Sequence, residues 1–295
     1  KQTADINLSA HYWQPIGNET HPFKGTYDGT TFDIHNMKTY CGVNGYAAYN
    51  NIAIFANSSG ATIKNVNNYD VNIKARVNVG GIVGYAYTIV QNCKVSGVIT
   101  GVVSVGGIAG VSSGKISDCE NYATVNSSSN VGGGLVGDLG QGSIMNCVNY
   151  GNIKGNLMTG GLVGHLYADS AINGCVNKGD VTGKDQTGGI IGKFSGGGTI
   201  QSCVNDGTVQ GTTNVGGIVG YIEKKEAKIE NCLNTGTLKT TAANGIVGGI
   251  VGQATYATTI SSCFVDCDIT PINTSKVGGI VGNATVAITI TYCGA

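Results

Sequence analysis

Charge, proline and tryptophan are all scarce in this chain. Charged residues make up 12% of its 295 residues, about half the usual share of roughly 25%. Lysine plus arginine equals aspartate plus glutamate at 17 each, so formal net charge is zero. That balance excludes the basic stripe of a nucleic-acid binder, and it offers no electrostatic reason to lie on an anionic membrane. No apolar run approaches the ~20 residues of a membrane helix, so the chain is not expected to be membrane-embedded. There is no His-Glu-x-x-His, which excludes a zinc-peptidase centre of that pattern. What is abundant is glycine, at 49 residues against three prolines and one tryptophan, together with Val, Ile, Thr and Asn. That composition reads as β-rich.

The glycines are periodic. Gly-Gly pairs begin at Gly80, Gly106, Gly133, Gly160, Gly188, Gly216, Gly248 and Gly278, in steps of 26, 27, 27, 28, 28, 32 and 30 residues. A period of that size is the mark of a solenoid. Each pair opens a Gly-Gly-aliphatic-aliphatic-Gly run, followed by a variable stretch and then Ile-x-x-Cys. The cysteines are Cys93, Cys119, Cys147, Cys175, Cys203, Cys232, Cys263 and Cys293. Three positions before them stand Val90, Ile116, Ile144, Ile172, Ile200, Ile229, Ile260 and Ile290. Six positions after the first seven stand Ile99, Val125, Ile153, Val181, Val209, Leu238 and Ile269, flanked mostly by polar residues. Polar-apolar-polar is the alternation of a strand with one buried face.

Three short strands per coil fit an all-β fold: a right-handed parallel β-helix, or three-sided β-solenoid, of about ten coils of ~28 residues. Residues 1–33, with Trp13, are expected to form an N-terminal cap. Residues 34–79 hold degenerate first coils, with Ile34-His-Asn-Met37 and Ile63-Lys-Asn-Val66 standing for Ile-x-x-Cys. Residues 80–295 are the repeat solenoid, one continuous domain. The chain opens at Lys1 and stops two residues after Cys293, so it is expected to be processed and incomplete at its C-terminus, that end covered by further chain, a partner domain or another copy.

The eight repeat cysteines are expected to stack as a structural ladder of buried, reduced thiols. Parallel stacking would hold their Cβ atoms about a strand spacing apart, too far for a disulfide. Asn121, Asn149, Asn177, Asn205 and Asn234, two places after Cys, should stack as well and hydrogen-bond along the axis.

The Gly-aliphatic-x-Gly core followed by Asn-Cys and Asn-x-Gly resembles the GLUG motif family over roughly residues 80–295. Trp13-Gln-Pro-Ile-Gly17 and Phe23 to Gly29 look like the segment that often precedes such arrays. The resemblance implies a bacterial surface or secreted, adhesin-like protein, extracellular or at the cell surface. It transfers no catalytic residue.

Other motifs read as ordinary. Gly110-Val-Ser112-Ser-Gly114 matches G-x-S-x-G but lies in a solenoid loop, not on a strand-to-helix elbow. Gly132 to Gly137 matches G-x-G-x-x-G only as a copy of the repeat. His11, His21, His35 and His165 are scattered, and the acids gather at no one repeat position. Asn273-Thr-Ser275 is one of six glycosylation sequons, several of which so Asn- and Ser/Thr-rich a chain shows by chance. No catalytic residue, cofactor or metal is therefore expected. The expected role is a non-catalytic structural or adhesive module offering a flat polar face and loops to a glycan or protein partner at a surface. The face is the strand after Cys, such as Asn152/Lys154 and Asp180/Thr182. The contact loops are Tyr221 to Glu230, with Tyr221, Glu223, Lys224, Lys225 and Glu226, and Thr237 to Asn244, with Lys239, Thr240 and Thr241. A self-assembling extracellular fibre, associating head-to-tail or laterally, is one alternative, and a polysaccharide-active enzyme another.

Overall fold

The computed structural model describes residues 1–39, 50–272 and 275–295. Part of the 34–79 stretch, Cys41 and two residues of the Asn273 sequon lie outside them. The described residues contain no helix, and their strands pair in parallel throughout. None of their helices could cross a membrane, since there are none.

One coil shows the plan. Met158–Gly160 forms its first side, Val163–Leu166 and Ser170–Asn173 its second, and Val176–Asn177 and Val181–Thr182 its third. The expected three strands are thus three sides, two of them broken into two strands. The breaks fall at the variable loop after Leu166 and at the Asn-x-Gly corner after Asn177. Where those features are missing, the sides run on. Val83–Gln91 fills a second side, and Lys94–Gly101, with Val95 in the asparagine position, fills a third. Strand Val83–Gln91 pairs with both Ala109–Ser112 and Lys115–Ser117 of the next coil. The second-side sheet therefore forks there into two ladders.

The isoleucine column fixes the register. Tyr27, Ile63, Val90, Ile116, Ile144, Ile172, Ile200, Ile229, Ile260 and Ile290 stand in sequence, one per coil, giving ten coils. This corrects the first degenerate copy. Tyr27, not Ile34, precedes Ile63; Ile34 pairs with Asn68, further round the coil on the third side. Two extra residues between the Tyr27 and Ile34 strands shift the frame. Strands also reach into the expected cap: Ile6–Asn7 pairs with Ile34 and His35. Trp13 packs partly buried against the core, and its indole Nε1 donates to the Ile54 carbonyl at 3.1 Å.

Each coil turns from second to third side on one left-handed residue just before the cysteine position. Asn65, Asn92, Asp118, Asn146, Ser202, Asn231 and Ser262 have φ between 50 and 56° there, and Gly174 has 63°. Asn, Asp and Gly tolerate that conformation best, so Asn before Cys is a corner residue.

The three glycines of the motif are required by crowding. A Cβ on Gly133 would press into the Val136 carbonyl. One on Gly134 would come 2.5 Å from Asn149 Cγ, and closer still to the Gly161 carbonyl. One on Gly137 would come 2.6 Å from the Ser104 backbone of the coil before. The second glycine thus makes room for the asparagine column of the opposite wall.

That column is fully buried and continuous. Asn121 Nδ2 donates to Asn149 Oδ1 at 2.8 Å, Asn149 to Asn177 at 2.8 Å, Asn177 to Asn205 at 2.8 Å, and Asn205 to Asn234 at 2.7 Å. Each second amide hydrogen goes to the carbonyl two residues on, as from Asn177 to Gly179 at 2.9 Å. Full pairing offsets the desolvation of these buried amides and pins the axial register.

The cysteine ladder stands beside it. Cys93, Cys119, Cys147, Cys175, Cys203, Cys232 and Cys263 are free and buried; Cys293, on the last coil, is partly exposed. Their Sγ atoms face main-chain groups, as Cys175 Sγ to the Asn173 carbonyl at 3.3 Å. Burial pushes the Cys119 thiol well above its usual value, which keeps it protonated and unreactive.

Candidate functional site

The strand Val83–Gln91 alternates cleanly. Val83, Ala86, Thr88 and Val90 are buried, and Tyr85, Tyr87, Ile89 and Gln91 face out. Its solvent side therefore carries two tyrosines and an isoleucine, where Asp138, His165 and Lys193 stand in the Tyr85 column on later coils. Tyr87 is 57% exposed, a large aromatic held in water by a rigid strand. Thr88 fixes the strand from behind, its hydroxyl donating to the Ala61 carbonyl at 2.5 Å.

Three coils further on, exposed Tyr167 leans back over Gly140. A Cβ on Gly140 would come 2.7 Å from the Tyr167 Oη, which reaches toward the Ser113 hydroxyl. Partial burial holds the Tyr167 phenol above its usual value, against a lowering contribution from Ser113. Beside Tyr87 lies a shallow groove of about 310 Å³, floored by Gly60 and Gly114 and edged by Tyr87, Ile89, Ser113 and Lys115, with Tyr167 standing beyond Ser113 at its rim. Aromatic rims over a glycine floor can stack on a flat ring, while the hydroxyls and the ammonium supply hydrogen bonds.

Beside the tyrosines runs a polar line. Asp138, His165 and Lys193 are in register on successive coils. His165 Nδ1 lies 3.1 Å from Asp138 Oδ1, and its Nε2 lies 3.1 Å from Ser195 Oγ. Ser104 also bonds Asp138. The distances are those of a Ser-His-Asp relay. The surroundings differ from one. Ser195 is only 6% exposed, and Glu223 Oε1 sits 3.3 Å from its Oγ. A carboxylate beside the serine oxygen repels the oxyanion of any attacked carbonyl. The neighbouring N–H groups of Ser195, Gly196 and Gly197 donate to Leu166 and Asp169, so they are spent before any oxyanion arrives. Lys193 Nζ pairs with Glu223 at 2.8 Å. Burial alone would raise the Glu223 carboxyl; Lys193 overcomes it and holds it below its usual value. The line links coils.

The expected contact residues scatter. Tyr221 is half-buried, with Lys193 Nζ 5.8 Å from its ring centre. Glu223 is occupied as described. Lys224 and Lys225 are exposed, the latter reaching Asp169 at 2.9 Å. Glu226, Lys239 and Thr241 are exposed. Thr240 is corrected: it is 5% exposed, its hydroxyl donating to the Thr212 carbonyl at 3.2 Å, because alternation turns it inward after Lys239. On the polar face, Asn152 and Asp180 each accept a backbone N–H of the next coil at 3.0 Å, so that face is partly spent on stacking. Ser112 of the G-x-S-x-G match is buried. The described residues hold no cluster of three or more metal-ligating side chains.

The tyrosine groove was absent from the sequence reading, although a signal existed. Counting back in twos from buried Val90 places Thr88 and Ala86 inside and Ile89, Tyr87 and Tyr85 outside. Tyr122 and Tyr150 are also exposed but stack on each other, centroids 4.6 Å apart and 2° from parallel, with Lys178 over Tyr150. Tyr150 is thus covered on both ring faces and Tyr122 on one.

Among known proteins, no curated sequence matches. A crystal structure of a "putative immunoglobulin A1 protease" from Bacteroides ovatus is similar at 22% identity and a TM-score of 0.44, covering 99% of this chain and 76% of that one. A likeness of that size says nothing of this chain's activity. The GLUG motif matches at residues 75–100 and 155–182, each spanning parts of a coil described above. The chain is a parallel β-solenoid that carries the GLUG motif.

Proposed function

We propose that this solenoid is a non-catalytic structural and adhesive module of a bacterial cell-surface or secreted protein. It would hold a glycan or protein partner on the exposed tyrosines Tyr85, Tyr87 and Tyr167 and the groove beside Tyr87. The supporting observation is the outward tyrosine row on a strand whose other face is locked in the core. Exposed rings that need no ordering on binding lose little entropy when a partner stacks on them. The serine-histidine line supports the non-catalytic reading, since its serine oxygen faces Glu223.

The test is a screen of the purified chain on a glycan array and against surface proteins, beside peptide and polysaccharide turnover assays. The expected result is retention of a ligand class without turnover. Turnover abolished by His165→Ala would overturn the non-catalytic reading.

A further inference from the structure

A second cavity lies at a different corner, between the third side and the next first side. It measures about 240 Å³ and is lined by Lys154, Lys184, Asn126, Ser128 and Asn156 among others, with no acidic side chain in its wall. That is below the roughly 300–1,000 Å³ of a small-molecule site, so it suits one substituent or ring of a larger ligand.

The coil stack holds these residues in place. Asn126 pairs in register with Lys154, and Lys154 with Thr182, two residues before Lys184. Lys184 N–H donates to the Asn156 carbonyl at 2.8 Å, and Asn156 Nδ2 to the Ser129 carbonyl at 3.1 Å. The nearby acids are engaged outside the cavity. Asp180 accepts the Thr208 N–H at 3.0 Å, and Asp185 bonds Thr213. Among the described residues, Lys64, Lys94, Lys193, Lys224 and Lys225 sit in ion pairs with carboxylates, whereas Lys154 and Lys184 sit in none. Two cations without a carboxylate partner bordering one small cavity offer an entering anion charge-assisted hydrogen bonds.

We propose that this cavity takes the carboxylate or sulfate of an acidic sugar residue. The charge selects an anion. Ser128 Oγ and Asn156 Nδ2 already donate to the Gly101 and Ser129 carbonyls, so their free acceptor oxygens and the Asn126 amide are left to meet the hydroxyls of a neighbouring sugar. The inference rests on the reading of the chain as a glycan- or protein-binding module and adds a subsite remote from the tyrosine groove.

The experiment is amide NMR on the whole chain, titrated with sodium glucuronate, glucose 6-sulfate, glucose and a triglutamate peptide. Glucuronate or glucose 6-sulfate should shift the Ser128, Gly155 and Asn156 amides, and which of them does so identifies the anionic group. Binding should weaken at least tenfold in Lys154→Met/Lys184→Met, at an unchanged melting temperature, and should weaken with added salt. Lys276→Met, an exposed lysine outside the cavity, should bind as the parent does. The proposal is overturned if neither acidic sugar shifts those amides, if the double variant binds equally, or if glucose or triglutamate binds as tightly. Loss here with the tyrosine groove still binding would sink this inference alone.

Discussion

Asn205→Ala probes the amide column at its middle. Asn205 Oδ1 accepts from Asn177 at 2.8 Å, and its Nδ2 donates to Asn234 Oδ1 at 2.7 Å and to the Gly207 carbonyl at 2.9 Å. Three fully buried hydrogen bonds vanish together, at about 1 kcal/mol net each, and the acceptors left behind add a desolvation penalty. Expected destabilisation is about 3–5 kcal/mol. Asn205→Val separates bonding from volume, since Val95 and Val265 already occupy the same repeat position. It should cost less than alanine, by about 1 kcal/mol of cavity, yet remain well below the parent. The assay is equilibrium denaturation, supported by hydrogen exchange of the flanking coils, because solenoids can lose stability locally. A loss under about 1 kcal/mol for Asn205→Ala, or equal stability of Asn205→Val and the parent, would refute the claim that the amide column pins the coils.

Gly134→Ala should destabilise by about 3 kcal/mol or more, because its Cβ would meet Asn149 Cγ at 2.5 Å and backbone locked on both sides; a melting temperature equal to the parent's would contradict this. Thr187→Val should stabilise by about 1 kcal/mol, since the Thr187 hydroxyl is buried without a partner and Val215 follows it in the same column; a loss on denaturation would count against it. Thiol titration should find the seven buried ladder cysteines unreactive in the native protein and free after denaturation; disulfides among them would overturn the ladder. The depressed Glu223 carboxyl stabilises the fold above its unfolded value near 4.5, and that contribution is lost as pH falls through the folded value. Glu223→Gln should flatten the stability profile there by no more than ~1 kcal/mol, as for a partly exposed pair; an unchanged profile would remove Glu223 from the balance.

The period, the isoleucine and cysteine columns and the asparagine stack were legible because each recurs at one repeat position, and parallel stacking turns recurrence into contact. What recurs imperfectly was not. The Ile34-His-Asn-Met37 copy fits the pattern by spelling, but two additional residues move it to the third side. The glycine requirement of Gly134 depends on an asparagine from the opposite wall, which no local pattern reveals. The Asp138-His165-Ser195 line needs the second-side register, because Ser195 lies diagonally from His165, two residues past Lys193. The tyrosine groove was readable from the parity of Val83–Gln91. It was missed because that strand sits inside a loop stretch that varies between copies.

The most direct test of the account is binding to the tyrosine row. A ligand class retained by the parent chain should be measured by calorimetry against Tyr85→Ser/Tyr87→Ser/Tyr167→Ser, with thermal unfolding recorded for both. The three side chains lie on the outer face and outside the core columns, so the variant should still fold and unfold cooperatively, with a modestly lowered melting temperature. At about 1–3 kcal/mol lost per stacked aromatic it should bind at least tenfold more weakly. Undiminished affinity in a folded variant would contradict the assignment of the contact site to this groove.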